Sequence, residues 1–434
     1  MMSEENFTLK NFVPRYSFYP LYSAWPKEIM TESKSLIKTI YYQEMERAKN
    51  ILIYIHIPYC QELCNFCGLN VKITKSKDEI NSFVDHLIKE IKNSPRCSNV
   101  KGVSIGGGTP NFLPAKELER LIVFLHQHFN LSSEAHLQIE IDPRYITLDQ
   151  LNIFQKFNFK NLIVGLIDFN SDVLALSNRH QGPNQAAGLE LILNQNYFSV
   201  TAEIIAGLAM QSKESIKFTL DYCLNSGVNS FNIYPLFIAP WNPNSKIHIQ
   251  ITQNNKSANF SDNRFELFKF ACDYLKSHHI TSVGPGHFAT PDHWWNDKLQ
   301  KEDLCYCISG VFPFIVDHML SFGPSAISSS SSIVCANEKV TDRYLSLIQK
   351  KEDCHSSFFV KSKSQIAFQE LINQLFAKSQ TKIPSEILEN PSFLINKKII
   401  VELELAKIED QSIKMTSLGR EYFGHLLHLL DPKI

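Results

Sequence analysis

The stretch Tyr54-Ile-His-Ile-Pro-Tyr-Cys60-Gln-Glu-Leu-Cys64-Asn-Phe-Cys67 sets three thiols at the spacing C-x3-C-x2-C. It begins inside an apolar run, 51–57, that reads as a buried strand. A structural zinc site takes four ligands and a disulfide takes two. Three closely spaced thiolates with no evident fourth suit a [4Fe–4S] cluster with one iron left open to a substrate or cofactor. Two duller readings stand beside it: a zinc knuckle with a distant fourth ligand, and buried unreactive thiols.

Downstream, apolar runs alternate with amphipathic ones. Strands are expected over 51–57, 100–105, 136–141, 161–166, 200–205 and 230–236, with helices over 78–91, 115–129, 148–157, 184–193 and 216–224 between them. Such alternation predicts parallel strands joined by helical crossovers, an α/β barrel or open sheet. Polar and glycine-rich residues at the strands' C-terminal ends then line the site. The second strand runs into Gly106-Gly-Gly-Thr-Pro110, where glycines allow close backbone approach to a ligand and Thr109 offers a hydroxyl. The third ends at Glu140-Ile-Asp-Pro-Arg144, with Glu140 and Asp142 on one face by alternation. Taken alone, the glycine run is more often a tight turn and the acids are more often helix caps or solvated charges.

Working outward, the first fifty residues hold Pro14-Arg-Tyr-Ser-Phe-Tyr-Pro20, an arm, and a helix over 33–47. Residues 238–258 read as a loop, 264–276 as a helix, 284–292 as turns carrying His287, and 328–332 as a serine loop. Past Cys335 the texture changes. Helices over 365–376 and 384–389, a hairpin from 398–407 and 413–415, and a helix over 417–430 suggest a winged-helix-like unit. The expected divisions are an arm at 1–50, a barrel with its extension at 51–335, and a C-terminal α+β domain at 336–434. A formal charge of -1, from 43 basic and 44 acidic residues, gives no electrostatic reason to expect nucleic acid or an anionic membrane as partner. The C-terminal unit shows no basic recognition helix. No apolar stretch is long enough to span a bilayer, and residues 1–9 show no secretory pattern. Ten cysteines without such a pattern point to a reducing, cytoplasmic setting and metal chemistry.

Several motifs occur in order: Tyr54 to Cys60, Gly106 to Pro110, Glu140 to Arg144, Asn178-Arg-His-Gln181, His287-Phe-Ala-Thr-Pro-Asp292, Gly323-Pro-Ser-Ala-Ile-Ser328 and Met415-Thr-Ser-Leu-Gly-Arg420. Together with the N-terminal arm they resemble the radical S-adenosylmethionine (SAM) enzymes of the oxygen-independent coproporphyrinogen III oxidase family, over nearly the whole chain. The resemblance implies a partial (β/α)6 barrel. It implies that Cys60, Cys64 and Cys67 ligate a [4Fe–4S] cluster whose open iron chelates SAM. Gly107, Gly108 and Thr109 would hold the methionine portion, and Glu140, Arg179 and Glu203 would supply polar contacts. Phe66 would shield the adenine and Tyr54 would lie against the cofactor pocket, with Tyr54 and Glu140 nearest the chemistry. The implied reaction turns propionate side chains of a porphyrinogen into vinyl groups through a 5′-deoxyadenosyl radical. An unidentified electron donor and a monomeric chain complete the expectation.

The chain also departs from that family. Leu69 stands where the family has a fourth cysteine that is not a cluster ligand. Gly165-Leu-Ile167-Asp-Phe169 carries isoleucine where the family has glutamine, and a lost ribose hydrogen bond costs about 1 kcal/mol. Glu203 replaces an aspartate, Ala209 a proline, and Cys307-Ile-Ser309-Gly310 an Asn-Phe-Gln-Gly stretch. These changes keep two other readings in play: a related methyltransferase acting on haem or another large planar substrate, and a haem chaperone without oxidase activity. Four groups have bland alternatives. His56 shares a strand face with Tyr54 and reads as core or as chemistry. His287 reads as loop scaffold or site wall, Arg179 as cofactor contact or helix-end cation, and Cys305 with Cys307 as a second metal site or none.

Overall fold

The structure is a computed structural model that describes residues 8–9, 19–20, 31–179, 182–237 and 263–432. The expected loop over 238–258, most of the Pro14–Pro20 arm, His180 and Gln181 lie outside the described residues.

Six apolar runs form parallel neighbours: β1 (Ile51–Ile57), β2 (Val100–Gly107), β3 (His136–Ile141), β4 (Asn161–Ile167), β5 (Ser199–Ala206) and β6 (Ser230–Pro235). β1 is nearly all Ile and Leu because a parallel strand is covered on both faces. Several crossover helices start where a side chain caps them: Ser76 caps Lys77–Lys92, and capping boxes at Thr147 and Ser212 start two more. Their apolar stripes, such as Leu118, Leu121, Ile122 and Leu125 of Ala115–Phe129, are buried against one sheet face. Each such side chain contributes roughly 1.5–3 kcal/mol.

The other face is small and polar. Register places Ser104 beside Gln138, Glu140 beside Ile163, and Gly165, Glu203 and Asn232 in one row. The hairpin of Cys305–Cys307 and Gly310–Phe312 lies across this concave face. Gln138 Nε2 donates to the Ser309 carbonyl at 2.7 Å and to Ser104 Oγ at 3.1 Å, and Phe312 meets the His136 ring edge-on.

The sheet is open and larger than the six strands expected. His318–Phe322 pairs parallel to β1 on its free side, followed by antiparallel Ile327–Ser329, Ile333–Asn337 and His355–Val360. On the opposite flank His287–Ala289 runs antiparallel to β6, with Thr281–Gly284 beyond it, giving 12 strands. The segment expected as turns at 284–292 therefore contains a strand, and the serine run begins in one. Residue 335 falls within Ile333–Asn337, so the sheet continues past the change of texture. Ser330 and Ser332 hydroxyls bond the Glu44 carboxylate of Thr31–Arg47, and Lys361 Nζ donates to the Ser330 carbonyl at 2.7 Å.

The strand expected over 398–407 is corrected. Asn390 caps a helix, Pro391–Glu402, with proline in its first turn, and that start signal overrides the local alternation. Only Ala406–Glu409 is a strand, paired with Ser412–Met415, which pairs with Gln380–Lys382. The last helix breaks at Tyr422 into Ser417–Glu421 and Phe423–Leu430. Arg420 ties this region to the sheet edge through the Val283 and Phe376 carbonyls, each at 3.0 Å.

Candidate active site

The cysteine loop leaves β1 at its C-terminal end. Tyr59–Cys60 pairs with Lys72–Ile73 and closes the loop. Asn65 N–H donates to the Ser177 carbonyl at 2.9 Å, and its side chain to the Leu176 carbonyl at 2.7 Å. Asn178 Nδ2 returns to the Leu63 carbonyl at 2.7 Å. The loop is thus laced to the segment that carries Arg179. Cys60, Cys64 and Cys67 are free and half-buried. They line a cavity of about 150 Å³ together with Phe66, Gly107, Gly108, Thr109, Glu140, Arg179 and Glu203. Tyr54 is the one predicted site residue that does not line it.

The glycine run explains how the loop and the strand end come so close. A Cβ on Gly108 would lie 2.9 Å from Cys60 Sγ, and one on Gly106 would lie 2.6 Å from a Glu140 oxygen. Gly107 has φ +116° and donates its N–H to Glu140 Oε2 at 3.2 Å. Thr109 Oγ1 is 3.3 Å from Cys60 Sγ.

Two carboxylates face the cavity from β3 and β5. Burial pushes the Glu140 carboxyl up to about 8, with the Glu203 charge adding and the Gly107 N–H subtracting. Asp142 behaves oppositely. Burial works to raise it, and the Arg179 and Arg144 guanidiniums outweigh burial and hold it low. Arg144 Nη2 reaches Asp142 Oδ2 at 2.7 Å and Arg179 Nη2 reaches it at 3.4 Å. Arg179 also donates to the Gly165 carbonyl at 2.6 Å and to Cys64 Sγ at 3.8 Å. Its buried Nε has no hydrogen-bond partner among the described residues. Arg179 is therefore not an idle helix-end cation. Burial pushes the Cys60 thiol up to about 12 and raises Cys67, so these two thiols hold their protons without metal and metal binding must displace them.

Tyr54 lies lower on the concave face, packed with Leu52, Phe312 and Met319. His56 Nε2 bonds the Asn70 carbonyl at 2.9 Å, which leaves Nδ1, 3.2 Å from Tyr54 OH, to accept that hydroxyl. His56 is buried and braces the cysteine loop from below. His287 is fully buried, its Nδ1 bonds the Pro285 carbonyl at 2.8 Å, and it lies among Tyr234, Trp295 and Tyr306 instead of lining the cavity. Cys305 and Cys307 sit in the hairpin, where Cys307 packs on the Tyr54 cluster and Val316 N–H donates to Cys305 Sγ at 3.5 Å.

Sequence reasoning left Ile163 and Tyr145 out of the site, although both line the cavity. Tyr145 directly follows the flagged Glu140–Arg144 motif, and Ile163 shares the face of Glu140 by register. The backbone of Ile167 was also not foreseen. It has φ +66°, an outlier for a β-branched residue and a strain on the order of 1–3 kcal/mol. Its side chain packs with Phe66, Val173, Leu174 and Leu208.

The radical SAM superfamily model matches residues 54–223, the span from β1 through Lys213–Asn225. Residues 54–223 thus carry a radical SAM superfamily domain. Over most of its length the chain is similar to oxygen-independent coproporphyrinogen III oxidases. It is 27% identical over 347 residues to that enzyme of Salmonella typhimurium, covering 78% of this chain and 73% of the relative. The Escherichia coli K12 enzyme is likewise 27% identical, over 349 residues, with the same shares covered. The Synechocystis enzyme is 24% identical over 385 residues, 87% of this chain and 80% of the relative. The solved structure of coproporphyrinogen III oxidase from Escherichia coli, described as a radical SAM enzyme, superposes with a TM-score of 0.83 over 96% of this chain and 97% of that one, at 23% identity. That likeness shows the fold.

The family's cofactors, a [4Fe–4S] cluster and SAM, fit the residues present. Among the described residues no set of three His, Cys, Asp or Glu side chains converges where one ion could sit, as a zinc knuckle requires. The three thiols instead ring an open cavity, as a multi-atom cluster needs, and the unpartnered Arg179 Nε and two carboxylates offer both signs of contact to an amino acid moiety.

Proposed function

We propose that this protein is a radical SAM oxidoreductase that converts propionate side chains of coproporphyrinogen III to vinyl groups, yielding protoporphyrinogen IX. The observation that supports this most is the convergence of three cysteines, the glycine run, Glu140, Glu203 and Arg179 on one cavity at the C-terminal ends of parallel strands. Cys60, Cys64 and Cys67 hold the cluster. Gly107, Gly108 and Thr109 hold the methionine part of SAM, Glu140 and Glu203 face its amino end, and Arg179 Nε takes an acceptor oxygen. When bound and reduced, this cofactor pair would supply a 5′-deoxyadenosyl radical that takes a hydrogen atom from a propionate, after which loss of CO2 and transfer of one electron to a separate acceptor leave the vinyl group. Phe66 and Ile167 form an apolar wall that excludes water from the reacting centre. Tyr54 and His56 brace the floor beneath.

No helix among the described residues is long and apolar enough to cross a membrane. We place the enzyme in the cytoplasm as a monomer served by a separate one-electron donor, and its ten free thiols support a reducing setting. A second reading, tetrapyrrole binding or methyl transfer without oxidase turnover, draws on Ile167 and Ser309, which alter the cavity wall and the concave face. Anaerobically reconstituted protein given SAM, dithionite and coproporphyrinogen III decides between them. Harderoporphyrinogen, then protoporphyrinogen and CO2, are the expected products. A methylated or ring-opened product, or stoichiometric haem binding without turnover, would replace the oxidase reading.

A further inference from the structure

Each of the three cysteine sulfurs has one hydrogen-bond donor, and each donor comes from a different part of the fold. The Thr109 hydroxyl, at the end of β2, lies 3.3 Å from Cys60 Sγ. Arg179 Nη1, from the segment after β4, lies 3.8 Å from Cys64 Sγ. The Leu69 backbone N–H, within the cysteine loop, bonds Cys67 Sγ. The three donors are a neutral hydroxyl, a charged guanidinium and a peptide group.

The guanidinium is not free to swing. Nη2 is held by the Gly165 carbonyl at 2.6 Å and by Asp142 Oδ2 at 3.4 Å, while Asp142 also takes Arg144. Arg179 and Asp142 are both buried, where charge acts with little screening. A donor aimed at a cluster sulfur draws electron density from it and stabilises the reduced cluster, and positive local charge does the same while negative charge opposes it.

We infer that Thr109 and Arg179, with Asp142 as opposing charge, set the reduction potential of the cluster through the cysteine sulfurs, a role separate from any contact with SAM. This rests on the proposal that the three cysteines hold a [4Fe–4S] cluster. Thr109 and Arg179 are then tuning residues, acting through Cys60 and Cys64. Removing a donor leaves more charge on sulfur and lowers the potential. Removing the Asp142 charge leaves two guanidiniums less compensated and raises it.

The test is a potentiometric titration of anaerobically reconstituted, SAM-free protein, followed by the electron paramagnetic resonance of the reduced cluster. Omitting SAM removes any effect on its binding. The midpoint should fall in Thr109→Val, fall further in Arg179→Met, rise in Asp142→Asn, and stay with the parent in Thr109→Ser, which keeps the hydroxyl. Opposite signs at two residues that touch each other separate tuning from mere disturbance of the loop. Thr109→Val and Asp142→Asn, both near-isosteric, decide the matter where Arg179→Met does not fold. Parent midpoints in both of them, at parent iron content, would overturn the inference. A parent protein that takes up no iron and sulfide overturns the cluster reading and this inference with it, and iron content, not potential, reveals that case.

Discussion

The protein holds two close groups of cysteines, and only one of them is built as a site. Cys60, Cys64 and Cys67 ring an open cavity and receive one donor each. Cys305 and Cys307 sit in a hairpin that lies over the concave face, one buried and the other packed on Leu52, Phe312 and Met319. Both groups of neighbouring thiols look alike as letters. The difference lies in what surrounds the sulfur: glycine backbone, a hydroxyl and a guanidinium around an open cavity in one case, peptide groups of the hairpin region and packed hydrocarbon in the other. Glycine marks both regions too. Gly107 and Gly310 share a positive φ, yet a Cβ on Gly107 would meet Ile57 O at 2.7 Å, whereas one on Gly310 finds nothing nearer than 3.6 Å.

The sharpest break of this comparison is at the thiols. Cys64→Ala should abolish both iron–sulfur uptake and SAM cleavage on reduction, while Cys307→Ala should retain both, measured by iron content and 5′-deoxyadenosine formation. Cleavage at the parent rate in Cys64→Ala would sink the ligand assignment. Next come the glycines. Gly107→Ala should cost about 3 kcal/mol in urea unfolding, because strain and a backbone clash add. Gly310→Ala should cost about 1 kcal/mol, from strain alone. Equal losses would mean that the two strand ends are equally crowded.

The smallest effect is electrostatic. The Glu140 carboxyl holds its proton to about pH 8 in the fold, whereas an unfolded glutamate releases it near its ordinary value of 4.5. Between those values the native state binds more protons, so this group's contribution to stability falls as pH rises. Glu203→Gln removes one cause of the shift. Metal-free Glu203→Gln should match the parent at pH 4 and exceed it by under about 1 kcal/mol at pH 8 in urea midpoints. A gain as large at pH 4 would assign the effect to packing.

Much of this was legible in the letters, for physical reasons. The parallel strands are long and apolar, so their bounds stand within two residues of expectation, and Ile51–Ile57 and His136–Ile141 match outright. Ten of the eleven proposed site residues line one cavity, because residues at the C-terminal ends of parallel strands meet by topology. The short antiparallel strands, such as Ile327–Ser329 and His287–Ala289, escaped because three residues carry no period. The 398–407 hairpin failed because alternation was weighed above the Asn390-Pro391 start signal. Neither the left-handed Ile167 nor the sharing of Asp142 by two arginines has a linear signature, since both arise from contacts distant in the chain.

The serine run has a consequence for how the chain comes apart. Its hydroxyls hold a carboxylate, Glu44, that the first described helix sends across to the sheet, and a nearly buried ammonium, Lys361, closes the same knot. Cutting the chain after Arg47 would leave that ammonium beside orphaned hydroxyls with no counter-ion. The preceding helix therefore behaves as a latch on the far edge of the sheet, and a shortened chain would fray there first.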